Sequence, residues 1–168
     1  MKKIFLAMIM FAITICSNAQ VTAKYQGEAE LGYSVGVGTF STGRVNLHTI
    51  HSAKIGDYFS AGLGLGLDYY HELYSDVGDG ELFVPIFLNM KGYVPVAEEL
   101  SPFISLDLGY GLGVTEGVSG SGGFLWSPSV GLRYKLFKFQ VGYTSQRISE
   151  NGFGFNMDAV QFKIGVVF

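Results

Sequence analysis

The chain has 168 residues, with 11 Lys and Arg against 14 Asp and Glu for a net charge of −3, and it carries 24 glycines alongside 15% aromatic residues. One domain fits this length, and an acidic chain of this kind is a poor match to nucleic acid, so no nucleic-acid partner is expected. Glycine without a collagen period, together with many rings and only 4 prolines, points to strands that pack closely on one side and display rings on the other.

The first residues read as a targeting segment. Lys2 and Lys3 precede an apolar run at 4–15, and Ser17-Asn18-Ala19 is a small-residue cleavage site, which predicts a signal peptide removed after Ala19 and a mature start at Gln20. The run is shorter than the about 20 residues that a spanning helix needs. Cys16 follows Ile15, a large residue where a lipoprotein site has a small one, so lipidation is not expected. Cleavage leaves residues 20–168 without cysteine, hence without disulfides. Loss of Lys2 and Lys3 leaves 9 basic residues against 14 acids, a mature net charge of −5.

Period-2 alternation then recurs eight times. The first strand is predicted over 26–38, with Ala29, Leu31, Tyr33, Val35 and Val37 on one face and Glu28, Glu30, Gly32, Ser34 and Gly36 on the other. A loop at 39–43 leads to a second strand over 44–53, in which Val45 and Leu47 oppose Arg44, Asn46 and His48. The turn at 54–57 carries the Gly and Asp of a tight connection. The third strand, 58–70, alternates Phe59, Ala61, Leu63, Leu65, Leu67 and Tyr69 with Ser60, Gly62, Gly64, Gly66 and Asp68. A long polar connection at 71–80 precedes the fourth strand, 81–94, whose Pro85 argues against a regular upper half.

A turn at 95–101 opens the fifth strand, 102–114, with Ile104, Leu106, Leu108, Tyr110 and Leu112 against Ser105, Asp107, Gly109, Gly111 and Gly113. Residues 115–123 read as a flexible loop by composition. The sixth strand is predicted over 124–135, a tight turn at 136–138 opens the seventh, to about Arg147, and residues 148–155 lead to the eighth, 156–168. Short or moderate connections follow strands two, four and six, and two of the connections after odd strands are longer and glycine-rich or acidic, which is the transmembrane-barrel pattern.

The faces indicate which side meets lipid. A soluble sandwich would bury its large apolar face and wet the polar one, but a water-facing surface has no need of repeated glycines, which weaken strands. A narrow eight-stranded lumen does, because its interior is just wide enough for side chains. The apolar parity is therefore placed outward. On the third strand, Phe59 and Tyr69 are roughly 33 Å apart along the chain at about 3.3 Å per residue. With tilt this spans roughly the 25 Å apolar band between two aromatic girdles. Phe59, Tyr134, Phe139 and Phe168 are expected near one rim, and Tyr69 and Tyr143 near the other. The expected fold class is all-β, an eight-stranded antiparallel up-and-down transmembrane β-barrel in contact with outer-membrane lipid.

The glycine-alternating stretches 62–70 and 108–113 and the closing strand 156–168 resemble the small eight-stranded outer-membrane protein β-barrel domain family (OmpA- and OmpX-like), over essentially the whole mature chain. The resemblance implies an outer-membrane location. It also implies that a C-terminal aromatic on an alternating strand is read by the barrel-assembly machinery during insertion. That signal maps onto Phe168, with Phe162, Ile164 and Val166 behind it. No peptidoglycan-binding domain is expected, since the chain ends with the barrel. Members of this class include adhesins, anchors, small channels and a few lipid-modifying enzymes, so the resemblance is specific for fold and loose for function.

Inward parity collects Glu28, Glu30, Asp68, Lys91, Asp107, Arg133 and Lys163, a lumen charge network that must pair or stay hydrated. Lys163 is expected to meet Glu28 or Glu30 where the last strand closes on the first, and Asp107 to sit between Lys91 and Arg133. His48 and His51, three apart on a strand, point to opposite faces and cannot share a metal. His71 with Glu72 and Ser75 is the one candidate catalytic cluster, and a solvated loop is the simpler reading of it. No cofactor or metal motif is present. The expectation is a non-enzymatic barrel with a structural or surface-interaction role, meeting any extracellular partner through loops 71–80 and 115–123. A lipid-modifying enzyme and a small solute channel are the alternatives.

Overall fold

The computed structural model describes residues 23–38, 42–71, 80–115, 118–150 and 153–168. The expected signal segment and its expected cleavage after Ala19 lie outside the described residues. Eight strands run in order: β1 (Ala23–Val37), β2 (Arg44–Ile55), β3 (Phe59–Tyr70), β4 (Glu81–Tyr93), β5 (Leu100–Gly113), β6 (Gly122–Tyr134), β7 (Phe137–Glu150) and β8 (Phe153–Val167). Each pairs antiparallel with the next, and β1 pairs with β8, so the sheet closes as an up-and-down barrel.

Closure leaves no sheet edge, which is the condition for strands to cross a hydrocarbon layer. The seam runs from Glu28↔Val167 to Val37↔Asp158, and two backbone bonds between Gly27 and Phe168, 2.7 and 2.8 Å, tie off its lower end. The terminal aromatic is therefore stitched into the sheet.

The apolar parity faces outward on every strand. Leu65 is 52% exposed and Leu31, Leu88, Val130 and Ile164 are also exposed, while Glu28, Asp68, Lys91 and Lys163 are buried to within a few per cent. Phe162, Val166 and Phe168 stand on the outer face with Ile164. Phe137, on the same parity as Phe139, is also exposed and pairs with Tyr134 beside the β6–β7 turn. It takes the rim position expected of Phe139, which pairs with Leu132 two residues further into the band.

Several strands are longer than the alternation predicts. The turn expected at 136–138 is instead Lys135-Leu136, and Lys138 is the first inward residue of β7. Beta-7 and β8 extend to Glu150 and from Phe153, absorbing most of the expected connection at 148–155. Strand β4 runs unbroken through Pro85, but its ladder with β3 pauses there. Partners run from Phe59↔Gly92 to Leu65↔Ile86 and resume at Asp68↔Phe83, as expected of a residue with no N–H to donate.

Several inward glycines are complements to large inward side chains on neighbouring strands. A Cβ on Gly64 or Gly109 would overlap Phe87, one on Gly66 would overlap His48, and one on Gly131 would overlap Phe103. The lumen is thus filled by rings laid over bare backbone. Gly64→Ala should destabilise the barrel by about 1–3 kcal/mol through overpacking, and Phe87→Leu in the same chain should recover part of that loss. Urea unfolding in lipid vesicles checks both, and a neutral Gly64→Ala would mean that the ring has room to move.

Candidate functional site

The lumen is a stack of polar layers that runs from the short-turn mouth up to an apolar end. At the short-turn mouth, Gln26 Nε2 donates to Glu28 Oε1 at 2.9 Å and to the Tyr93 hydroxyl at 3.0 Å, and Gln26 Oε1 accepts from Arg133 Nη1 at 2.9 Å. Above it, Glu28 receives Lys91 Nζ at 2.9 and 3.1 Å and also pairs with Lys138. Lys138 reaches Glu30 as well. Lys163 Nζ lies 3.5 Å from Glu30 Oε2 and 3.7 Å from Asp107 Oδ2.

Lys163 is not the register partner of Glu30. It sits opposite Gly32, whose missing Cβ lets the lysine stem lie across β1 toward Glu30, since a Cβ there would stand 2.6 Å from Lys163 Cγ.

Higher still, His48 Nε2 is 2.8 Å from Asp68 Oδ1 and its Nδ1 is 3.3 Å from Lys163 Nζ. An ammonium can only donate, so Nδ1 accepts and Nε2 carries the proton given to Asp68. Asn46 donates to the same carboxylate at 2.6 Å and accepts from Ser34 at 2.7 Å. Arg44 donates to Thr144 Oγ1 at 2.8 Å and to the Tyr70 hydroxyl, and Tyr70 donates on to Gln146 Oε1 at 2.8 Å.

Four carboxylates (Glu28, Glu30, Asp68, Asp107) thus share this network with four cations (Arg44, Lys91, Lys138, Lys163), all buried, and Glu81 is a further buried carboxylate at the start of β4. Close charge pairing is what makes the buried lysines and carboxylates tolerable, while Arg44 is held by the hydroxyls of Tyr70 and Thr144. The upper end is sealed by an apolar cluster of Tyr70, Phe83, Val118, Ile148 and Met157. Val118 comes from the connection expected to be a flexible loop, and it turns inward instead. The space left between His48, Asp68, Phe87, Asp107 and Lys163 is about 10 Å³, room for one water at most.

One expected arrangement is corrected. Asp107 does not bridge Lys91 and Arg133. It accepts from Asn89, its register partner, while Lys91 crosses the lumen to Glu28. Arg133 pairs with Ser101 in register, six residues below Asp107, and holds Gln26 and the Lys135 carbonyl instead. The sheared register, not strand adjacency, decides which charges share a depth. Lys138, Arg44 and His48 belong to the network although the sequence reading left them out of it.

His48 faces inward and His51 outward, where its Nδ1 is 2.7 Å from the Tyr25 hydroxyl. The His71 ring packs between Tyr33 and Tyr69, at centroid distances of 6.1 and 5.5 Å. Glu72 and Ser75, its expected companions, lie outside the described residues, as does most of the 71–80 connection. Among the described residues no group of three or more His, Cys, Asp or Glu is placed to hold a metal ion.

No protein-family model matches the chain, and no curated protein matches it. Solved structures do. Neisserial surface protein A superposes with a TM-score of 0.64 at 12% identity, over 87% of this chain and 97% of that one. The outer membrane enzyme PagL gives 0.56 at 12% identity, over 81% and 97%. The N-terminal β-barrel domain of Pseudomonas aeruginosa OprF gives 0.50 at 16% identity, over 88% and 100%. Identities this low speak to the fold alone, and the fold is that of the small eight-stranded outer-membrane β-barrels, OmpA- and OmpX-like in architecture.

Proposed function

We propose that this protein is a non-enzymatic integral outer-membrane barrel with a closed lumen, serving a structural or surface-interaction role through the connections at its long-loop end. The observation that carries this reading is the filled interior: ion pairs and hydrogen bonds from Glu28 up to His48 and Asp68, a hydrogen-bonded Arg44 and an apolar lid above them, and about 10 Å³ of free space between. A solute channel needs a continuous wet path, which such an interior does not offer. Export by a signal peptide cleaved after Ala19 and insertion through an assembly signal at Phe162, Ile164, Val166 and Phe168 complete the proposal. Loops 71–80 and 115–123 are the proposed contact surface for an extracellular partner.

Planar-bilayer recordings of the refolded protein should show no stable open level. A steady ohmic conductance, abolished by no change in the loops, would replace this reading with the channel. Lipid mass spectra of cells with and without the protein should be unchanged, and a lipid species that appears only with the protein would make it an enzyme.

A further inference from the structure

The short-turn mouth of the barrel holds a second polar site, below the buried charge network and joined to it through Gln26. It is a cavity of about 390 Å³ between the end of β2, the 94–99 connection and the β6–β7 turn. Three of its lining side chains, Lys54, Tyr93 and Arg133, share the inward parity of their strands, so it opens on the barrel axis and not on the lipid face. Its volume falls within the range of small-ligand sites.

The Arg133 guanidinium is held on two sides, by Gln26 Oε1 at 2.9 Å and by the Lys135 carbonyl at 3.1 Å. Lys135 presents that carbonyl from the left-handed backbone, φ 55, of the tight β6–β7 turn. The same turn is locked to the opposite wall, since Lys135 N donates to Glu99 O at 2.9 Å and its ammonium lies 3.1 Å from Glu99 Oε2. The walls are therefore tied together before any ligand arrives.

Two of the charges on these walls, Arg133 and the exposed Glu98 across the cavity, are left without an ion pair among the described residues. Lys54 lies 5.6 Å above the Tyr93 ring and meets only the exposed Asp57, at 3.7 Å. A fixed, unpaired guanidinium is suited to a carboxylate, which it can grip with two parallel bonds. An unpaired carboxylate on the facing wall is suited to an ammonium.

We infer that this mouth binds a small zwitterion, a carboxylate with an ammonium a few ångströms away, as at the ends of an amino acid or a short peptide. Arg133, assisted by Lys54, takes the carboxylate, and Glu98 takes the ammonium. The inference draws on the proposed function only for the compartment that the mouth faces. Binding is non-covalent and, in an open site of this size, belongs in the millimolar range.

The test is an NMR titration of the isotope-labelled full mature chain in lipid nanodiscs, with glycylglycine as probe. Saturable shifts are expected at the amides of Glu98, Glu99, Arg133 and Lys135, with the Trp126 indole unmoved. Glycylglycinamide, which lacks the carboxylate, should bind about tenfold more weakly, the scale of one lost charge-assisted bond. N-acetylglycylglycine, which lacks the ammonium, should bind about threefold more weakly. Arg133→Gln should reproduce the first loss and Glu98→Gln the second, and Arg133→Lys keeps the charge without the fork if the glutamine variant folds poorly.

Because the probe series needs no mutation, a folding defect cannot hide the answer. Shifts that never saturate, or equal binding of glycylglycine and its amide, would overturn the inference. Tighter binding of phosphoethanolamine than of glycylglycine would also overturn it, by assigning the mouth to lipid headgroups. Bilayer conductance and lipid spectra read the proposed function independently of this outcome.

Discussion

Glu28→Ala is expected to destabilise the barrel by about 3–5 kcal/mol, the cost of leaving buried charge without its partner. Glu28 is 1% exposed and is the one carboxylate that meets both Lys91 and Lys138. Lys138 would keep Glu30 after the change, but Lys91 would keep only Asn89 Oδ1, at 2.8 Å. Alanine also removes one of the two acceptors of Gln26 Nε2, leaving the Tyr93 hydroxyl, and so loosens the link to Arg133 at the mouth. Adding Lys91→Met to Glu28→Ala should recover part of the loss, because the stranded ammonium goes with it. The two residues should therefore show strong coupling in a double-mutant cycle. Equilibrium unfolding in urea from phospholipid vesicles reads all three variants. A loss below about 1 kcal/mol for Glu28→Ala, the range of exposed ion pairs, would mean that the lumen is wet enough to solvate Lys91, and the closed-lumen reading would fall with it.

The barrel was legible in the sequence because its signal is local. Alternation at period 2 along 59–69 states the face of each residue without knowledge of any other strand, and repeated inward glycine narrows the lumen. What the glycines accommodate was less legible. Phe87 and His48 lie on inward parities that can be read from the sequence, but their tilted contact at 5.2 Å over Gly64 and Gly66 depends on a register that no single strand encodes. The charge pairs divide in the same way. Lys163 and Glu30 are near each other because β8 must close on β1, a constraint that topology supplies. Lys91 and Glu28 meet across the lumen from β4 to β1, which depends on barrel diameter and shear. Lys138 was missed for a simpler reason: a turn placed two residues late kept it out of β7, and the left-handed Lys135 that fixes the turn carries no glycine to announce it.

Leu65→Arg is expected to cost about 2–4 kcal/mol of folding stability in a bilayer, and it tests the placement of every outward side chain at once. Leu65 stands midway between Phe59 and Tyr69 on β3, half exposed, with Thr49 and Ile86 as outward neighbours across the two ladders. In hydrocarbon, an arginine there has no partner of opposite charge and must bend toward an interface, at the cost of local thinning. Tyr69→Arg, four residues higher on the same face and at the girdle, should cost only about 0–1 kcal/mol, because the penalty fades toward the headgroups. The difference between the two variants is the informative quantity, since it removes the shared cost of placing arginine on a strand. Both are read by urea unfolding in vesicles of one lipid composition. The same pair in a detergent micelle, whose boundary adjusts around a charge, should converge. Equal costs at Leu65 and Tyr69 in the bilayer would mean that no apolar slab lies between the two girdles, and the outward face would then have to be covered by something other than lipid.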